Sequence, residues 1–239
     1  MPRELPIFPL PLVLFPGATQ ALHIFEPRYR QMLADCLEGD RRFGIAWVRP
    51  QEGPDPEPNL GDIGCIAHVH ATHRLADGRS NIVTIGERRF TLEAWIDGGP
   101  STPYRRARVE EFDDEPADPA ELAPLAKEVR QGFQRLVKAL AILTDRETQA
   151  FELPPPDDSA RLSFQVASVL ELEPDQKQRL LVMRHTGQRL RHLRDVLGPL
   201  ADDANKRAAV HFRARGNGKG GPNPSIEKVD GEAGGGIGA

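Results

Sequence analysis

Four residues that are close together in the sequence carry side chains able to bind metal ions. They are Cys65, His68, His70 and His73. They lie in an apolar run typical of a strand, where successive side chains alternate between two faces, so His68 and His70 share a face that Cys65 does not. A closed tetrahedral zinc site would then need a bulge or a ligand from elsewhere. We therefore predict surface histidines beside a small core cysteine, with no metal and no cofactor, and keep the four as candidate metal ligands.

Catalytic nucleophiles are not recognisable in the sequence. A Cys65–His dyad fails on the same strand geometry, and none of the six serines lies in a motif that would activate its hydroxyl group. The stretch 216–221 superficially suggests a phosphate-binding loop, but Gly220 follows Lys219 where such a loop needs Ser or Thr. We predict no catalytic residue.

Arginine is unevenly distributed. Residues 1–113 contain 13 Arg, no Lys and 16 acidic residues, a net charge of about −3. Arg88-Arg89 and Arg105-Arg106, with Arg108, could face a phosphate backbone. Single-stranded RNA also needs aromatic platforms on which bases stack, and aromatic residues make up only 6% of the chain. We favour arginines in solvent on strand edges and keep RNA binding as the alternative function.

Composition sets the broad class of the protein. The chain has 239 residues and a net charge of −4, and 22 Gly with 22 Pro argue against an all-helical fold. Two cysteines cannot build a disulfide framework, which points to a reducing compartment. The apolar start is interrupted by four prolines, so it does not read as a signal peptide, and no segment approaches the length of a membrane span. We predict a cytoplasmic protein.

The first part of the chain, residues 1–113, shows the pattern of a β-rich domain. Its short apolar runs are 12–15, 44–48, 65–71, 81–85, 90–96 and 107–112, separated by Gly and Pro turn signals. Asp77-Gly78 predicts a tight hairpin. One helix should interrupt the strands, beginning near Pro27, continuing from Tyr29 to Leu37 and ending before Gly39.

The second part, residues 114–200, has helical periodicity. One amphipathic helix should begin after Asp118, a second after Asp157 or Asp158, and a third at Pro174 that ends at Gly198-Pro199. We expect these three to pack as a bundle. Residues 201–239 contain nine glycines and no Leu, so we predict a disordered tail that is dispensable for folding.

The opening of the chain is its most specific stretch. It reads LPIFPL from Leu5, VLFPG from Val13 and LHIFEPRY from Leu22. It resembles the N-terminal substrate-binding domain of Lon proteases, and more closely the free-standing Lon-N-like proteins of bacteria. Further similar segments, in order, are 43–45, 64–67, 77–79, 86–90, 177–181 and 189–190. The resemblance covers about residues 4–198.

This resemblance implies an α+β fold in which an N-terminal PUA-like β-barrel with one inserted helix precedes the helical bundle and the tail. It also implies a non-enzymatic module without the ATPase and Ser-Lys protease modules of Lon. Such a module would bind unfolded or exposed protein segments in a shallow apolar groove between barrel and bundle. Glu26 and Arg28, which flank a helix start, are the candidate substrate-binding residues. A full-length Lon acting in trans is a second candidate partner.

Overall fold

A computed structural model describes residues 2–49, 56–97, 102–144 and 153–217. These residues form a mixed α+β fold with six strands and five helices. The strands are β1 (Pro2–Leu10), β2 (Thr19–Ile24), β3 (Arg42–Trp47), β4 (Ile63–Arg74), β5 (Ser80–Ile96) and β6 (Arg106–Phe112). The helices are α1 (Pro27–Glu38), α2 (Pro119–Thr144), α3 (Ser159–Val169), α4 (Pro174–Val182) and α5 (Thr186–Asn217).

The strands pair in the order β2-β5-β4-β3-β1-β6, and β6 also pairs with β5. The strands β1, β3, β4, β5 and β6 therefore pair in a closed circuit, and β2 lies outside it at the edge of β5. Only β1 and β3 are parallel. Two runs predicted as separate strands, 81–85 and 90–96, belong to the single long strand β5. The run 12–15 is not a strand, and the Pro-rich segment before it forms β1.

Local sequence signals for the hairpin and for α1 are confirmed. Gly78 has φ +83°, the left-handed conformation that a tight turn requires, and it lies between β4 and β5. Helix α1 begins at Pro27 and ends before Gly39. It buries Tyr29, Met32, Leu33 and Cys36 against the strands. The amphipathic spacing in this segment thus fixes both the helix and the face that it buries.

The predicted third helix is in fact two helices. Helix α4 ends at Val182 and α5 begins at Thr186, so the described residues after 114 form four helices rather than three. At the break, Met183 is extended, with φ −59° and ψ 122°. The main-chain carbonyls of Leu181 and Met183 accept hydrogen bonds from Arg89 at 2.8 and 2.7 Å. Because a distant side chain satisfies these carbonyls, periodicity within the segment could not reveal the break.

The predicted disorder from residue 201 is wrong for residues 201–217. Helix α5 runs through Gly198 and Pro199 to Asn217. Ala201, Ala204 and Ala208 are buried in the same apolar cluster as α2. Alanine methyl groups give a narrow apolar stripe where the sequence has no Leu, and packing on α2 outweighs the hydrogen bond that Pro199 removes. The rest of the predicted tail, residues 218–239, lies outside the described residues.

Three apolar clusters make up the core. One joins the buried faces of α2 to α5 and includes Phe15 from the β1–β2 connection. The other two lie among the strands, and α1 contributes to one of them. Within the parts of the chain that the structure describes, no helix has both the length and the apolar composition needed to cross a membrane.

A truncation tests whether the end of α5 contributes to stability. Cutting the chain after Leu200 removes Ala201, Ala204 and Ala208 and exposes the α2 surface that they cover. We expect the Tm to fall by more than about 4 °C, because about 1 kcal/mol shifts the Tm of a domain of this size by about 2–4 °C. The reference is the chain cut after Asn217. Circular dichroism during heating measures the Tm of both truncated chains. Equal Tm values for the two truncated chains would contradict this packing.

Candidate functional site

An open groove lies between the β1–β2 connection and helices α3 and α4. Its volume is about 480 Å³. One wall is formed by Pro11, Leu12, Val13, Leu14, Gly17, Ala18, Thr19 and Gln20, and the other by Gln165, Ser168, Val169, Leu172, Pro174 and Lys177. Val169 is 43% exposed although it is apolar. The groove lies between the strands and the helices, and we treat it as the candidate site.

The strand-side wall is held by two glycines. The Gly17 amide donates to the Gly86 carbonyl at 2.8 Å, and the Gly86 amide donates to the Ala18 carbonyl at 2.9 Å. A Cβ on Gly86 would lie 2.2 Å from the carbonyl oxygen of Phe15. Only glycine lets β5 approach the connection this closely, and this approach sets the position of the wall.

Phe15 anchors the same wall from below. Its side chain is fully buried, and its ring lies 6.2 Å from that of Phe164 on α3, centroid to centroid. Phe15 belongs to the apolar cluster of the helices rather than to those of the strands. The connection that forms one wall is therefore packed against the helix that forms the other.

Among the described residues that line the groove, Lys177 is the one with an ionisable side chain. Its Nζ donates to the Ser168 carbonyl at 3.1 Å. Partial burial lowers the pKa of Lys177, because an ammonium loses hydration there. The other lining residues are apolar or neutral, so the groove offers one positive charge at an otherwise uncharged surface.

Next to α3, a buried ionic cluster connects the strands to the helices. The Asp114 carboxylate accepts hydrogen bonds from Arg89 of β5, from Arg189 of α5 and from the Thr186 hydroxyl. The side chains of Arg89 and Arg189 are 2% and 0% exposed. Burial lowers the pKa of both guanidinium groups, which Asp114 opposes. Even so, the donors stay charged, because the ordinary pKa of arginine is far above neutral.

The two arginines also donate to groups other than Asp114. Arg89 and Arg189 each donate to the Met183 carbonyl at 2.7 Å, and Arg189 Nε donates to the Ser163 hydroxyl at 2.7 Å. The guanidinium carbon of Arg189 lies 3.9 Å from the centroid of the Phe164 ring, and that of Arg89 lies 5.1 Å from it. The Phe164 ring thus makes cation–π contacts with both arginines and also packs against Phe15 below the groove.

The two candidate substrate-binding residues are placed away from this groove. Arg28 Nε donates to Glu26 at 3.0 Å, and both side chains are partly exposed. Glu26 precedes α1, as expected, but its side chain does not cap the helix. Neither residue lines the groove. Their involvement with a ligand stays a prediction.

The four candidate metal ligands do not come together. The Cys65 side chain is fully buried, whereas His70 and His73 are exposed and His68 is partly exposed. Burial raises the pKa of the Cys65 thiol, so the thiolate that binds metals is disfavoured. A register shift does occur between Cys65 and Ala67, yet Cys65 stays in the core. Among the described residues, no cluster of three or more histidine, cysteine or acidic side chains could hold a metal ion.

The arginines considered for RNA binding have carboxylate partners in most cases. Arg88 bonds to Asp113 and Glu111, Arg105 to Glu57, and Arg106 to Glu4. The expectation that these arginines lie in solvent is wrong for Arg89, which is enclosed in the buried cluster, whereas Arg108 is exposed on β6. Paired charges give little net attraction for phosphate, so no specific feature of this surface favours RNA.

Sequence reasoning missed the Asp114 cluster, although one signal was present. Arg189 occupies a helical position on the same face as Leu190, Leu193 and Leu197, where a core residue is expected. A charged residue in an apolar stripe is rarely buried unless it is paired. The sequence therefore indicated that Arg189 needs an acidic partner, but Asp114 lies 75 residues away.

The comparisons with known proteins decide the family. A model of the ATP-dependent protease La (LON) substrate-binding domain matches residues 4–198. The chain belongs to this family. A Lon protease of Syntrophomonas wolfei is 25% identical over 218 residues, which is 89% of this chain and 26% of the relative. The Lon substrate-binding domain here thus spans about a quarter of the length of that relative.

Two solved structures share the fold of this Lon domain. A Lon N-terminal domain protein from Xanthomonas campestris has 24% identity and a TM-score of 0.56, covering 80% of this chain and 96% of that one. The N-terminal domain of the Mycobacterium avium complex Lon protease has 21% identity and a TM-score of 0.58, covering 84% and 99%. Both confirm the α+β arrangement.

Replacing Asp114 tests the buried cluster of this Lon domain. Asp114→Asn leaves Arg89 and Arg189 buried without a counter-charge, and we expect a loss of about 3 kcal/mol in the free energy of unfolding. Asp113→Asn is the matched control, because Asp113 pairs with Arg88 at the surface and should cost less than about 1 kcal/mol. Urea denaturation measures both values. A similar loss in the two variants would show that the buried cluster is not a major source of stability.

A second prediction concerns the groove wall. Gly86→Ala forces the new methyl group against the Phe15 carbonyl and should destabilise the domain by about 1–3 kcal/mol. Gly198→Ala is the control, and it should change stability in the opposite direction. No atom lies within 4 Å of a Cβ at this helical position, so we expect a gain. If Gly86→Ala is as stable as the unmodified protein, the close approach of β5 to the connection is not required.

Proposed function

We propose that this Lon domain binds extended segments of unfolded or otherwise exposed polypeptide in the groove between the strands and helices α3 and α4. The observation that carries the proposal is an open groove whose apolar side chains are partly or fully accessible, in a domain whose family is one of substrate-binding domains. Val169 and the partly buried Leu12, Val13 and Leu172 supply its apolar surface. Such surface is available to an apolar segment from another chain.

Burial of apolar area provides the affinity. Covering apolar surface gains about 25 cal/mol per Å², so two or three aliphatic side chains seated in the groove contribute several kcal/mol before the ordering cost is subtracted. The resulting affinity is modest, in the micromolar range at about −8 kcal/mol. Binding of this kind selects exposed apolar segments rather than one sequence, since folded proteins bury such segments.

We further propose that the domain is non-enzymatic. The comparison supports this because residues 4–198 match the substrate-binding domain of Lon rather than an ATPase or protease domain. Cytoplasmic location is part of the same proposal, and it is supported by the two cysteines, Cys36 and Cys65, both free and buried. Full-length Lon in trans is the proposed protein partner besides the bound segments.

The division of the chain is also a proposal. Residues 1–113 would form a PUA-like barrel, which the closed circuit of five strands supports. The helical unit from residue 114 is supported by its own apolar cluster. Glu26 and Arg28 remain candidates for a contact outside the groove, where a segment longer than the groove would continue along the strands.

A polar but uncharged side chain in the groove should weaken binding. Val169→Asn places an amide among the apolar side chains without adding a charge, and we expect the affinity for reduced casein to fall by about tenfold, since the loss of one buried aliphatic side chain is worth about 1.5 kcal/mol. Val210→Asn is the control with the same substitution, because Val210 is 67% exposed on α5. Fluorescence anisotropy with labelled casein measures both affinities.

Two outcomes would contradict the proposed function. One is an equal affinity for casein in the Val169→Asn and Val210→Asn variants. The other is tighter binding of mixed-sequence RNA than of casein at about 0.15 M salt, with a steep salt dependence that indicates phosphate contacts. Binding through apolar surface should instead change little with salt.

A further inference from the structure

The single charge of the groove lies where a bound segment would pass. Lys177 is on α4, and its ammonium reaches Ser168 at the end of α3. Both residues line the groove with Val169 and Leu172. An ammonium carries three N–H donors, and the bond to the Ser168 carbonyl uses one of them. A ligand in the groove therefore contacts a partly buried ammonium that has two further N–H donors.

In the part of the chain that the structure describes, no carboxylate neutralises this cation by direct contact. Glu171 lies near enough to raise the pKa of Lys177 through its charge, but it is exposed, and in the described part of the chain it forms no salt bridge with Lys177. Most of the arginines discussed above have a carboxylate partner within bonding distance. Lys177 has a main-chain carbonyl instead, so its charge is available to a ligand.

The strand-side wall also favours an extended ligand. Thr19 and Gln20 line the groove and are the first residues of β2. Strand β2 pairs with β5 only, and its other edge has no partner strand among the described residues. The main-chain groups of an edge strand can bind an extended polypeptide by β-augmentation. A segment leaving the groove can continue along this edge.

We propose that the groove selects extended segments in which a side-chain carboxylate, from Asp or Glu, accompanies apolar residues, and that Lys177 binds this carboxylate. This rests on the proposed function, because it assigns the class of segment bound in the same groove. The charge complements the lone cation, and the apolar neighbours of the carboxylate cover Val169 and Leu172. The carboxylate also stabilises the charged form of Lys177, which partial burial disfavours.

Matched peptides test the selection. The probes are fluorescent peptides of alternating Ser and Leu, acetylated and amidated at their ends, with Glu, Gln or Lys at the centre. Blocked ends leave the central side chain as the only charge, and the alternating sequence lets each peptide adopt its best register. We expect the Glu peptide to bind the full chain about fivefold more tightly than the Gln peptide, and the Lys peptide to bind most weakly. The preference for the Glu peptide should decrease at about 1 M salt, because the Debye length is then about 3 Å and the attraction between the two charges is screened.

Variants of Lys177 identify the group responsible. Lys177→Met should bind the Glu and Gln peptides equally, and Lys177→Glu should prefer the Lys peptide. Lys127→Met is the matched control, because Lys127 is exposed on α2 and does not line the groove. This control should keep the full preference for Glu. Unfolding curves for all three variants confirm that each is folded.

The outcomes separate this inference from the proposed function. Equal binding of the Glu and Gln peptides, weakened in both cases by Val169→Asn, overturns the role of Lys177 while the groove remains the site. If Val169→Asn changes neither peptide nor casein binding, the proposed function itself fails. A preference for Glu that persists in Lys177→Met also overturns the inference. So does a dimer that Val169→Asn dissociates, because a second copy would then occupy the groove.

Discussion

The carboxylate of Asp114 lies between two guanidinium groups that come from opposite sides of the interface between strands and helices. Arg89 reaches it from β5 and Arg189 from α5, and both arginines are buried. One carboxylate cannot neutralise two cations, so the main-chain carbonyls of Leu181 and Met183 and the ring of Phe164 complete the site. Buried charges tolerate little displacement, because every lost contact leaves a desolvated group. The relative position of strands and helices depends on this cluster.

The same strand controls both walls of the groove. Gly86 of β5 bonds to the connection between β1 and β2, which forms one wall, and Arg89 three residues later holds the end of α4, which contributes to the other. Between them, Phe15 and Phe164 pack below the groove. The width of the groove therefore depends on the three-residue spacing between Gly86 and Arg89 on β5. A ligand binds a surface that is already ordered, which lowers the entropic cost of binding.

Charge is distributed differently at the surface and in the groove. On the strands, arginines such as Arg88 and Arg106 lie beside carboxylates, which weakens the net positive field around them. In the groove, Lys177 stands among apolar and neutral side chains. A charge is worth more there than at the open surface, since nearby apolar groups lower the local dielectric. Affinity from apolar contact and selectivity from one charge can thus coexist in a small site.

The sequence by itself determined the features that depend on neighbouring residues. The family followed from its motifs, α1 from its amphipathic spacing between Pro27 and Gly39, the hairpin from Asp77-Gly78, and α2 from its apolar repeat. The tertiary structure decided the features that depend on distant residues. The break between α4 and α5 depends on Arg89, which binds the carbonyls of Leu181 and Met183, and α5 continues past Pro199 because alanines pack on α2. The Asp114 cluster joins residues 75 positions apart, and the groove joins two segments about 150 residues apart. Propensity and periodicity act over a few residues, so they do not specify which distant groups will meet when the chain packs.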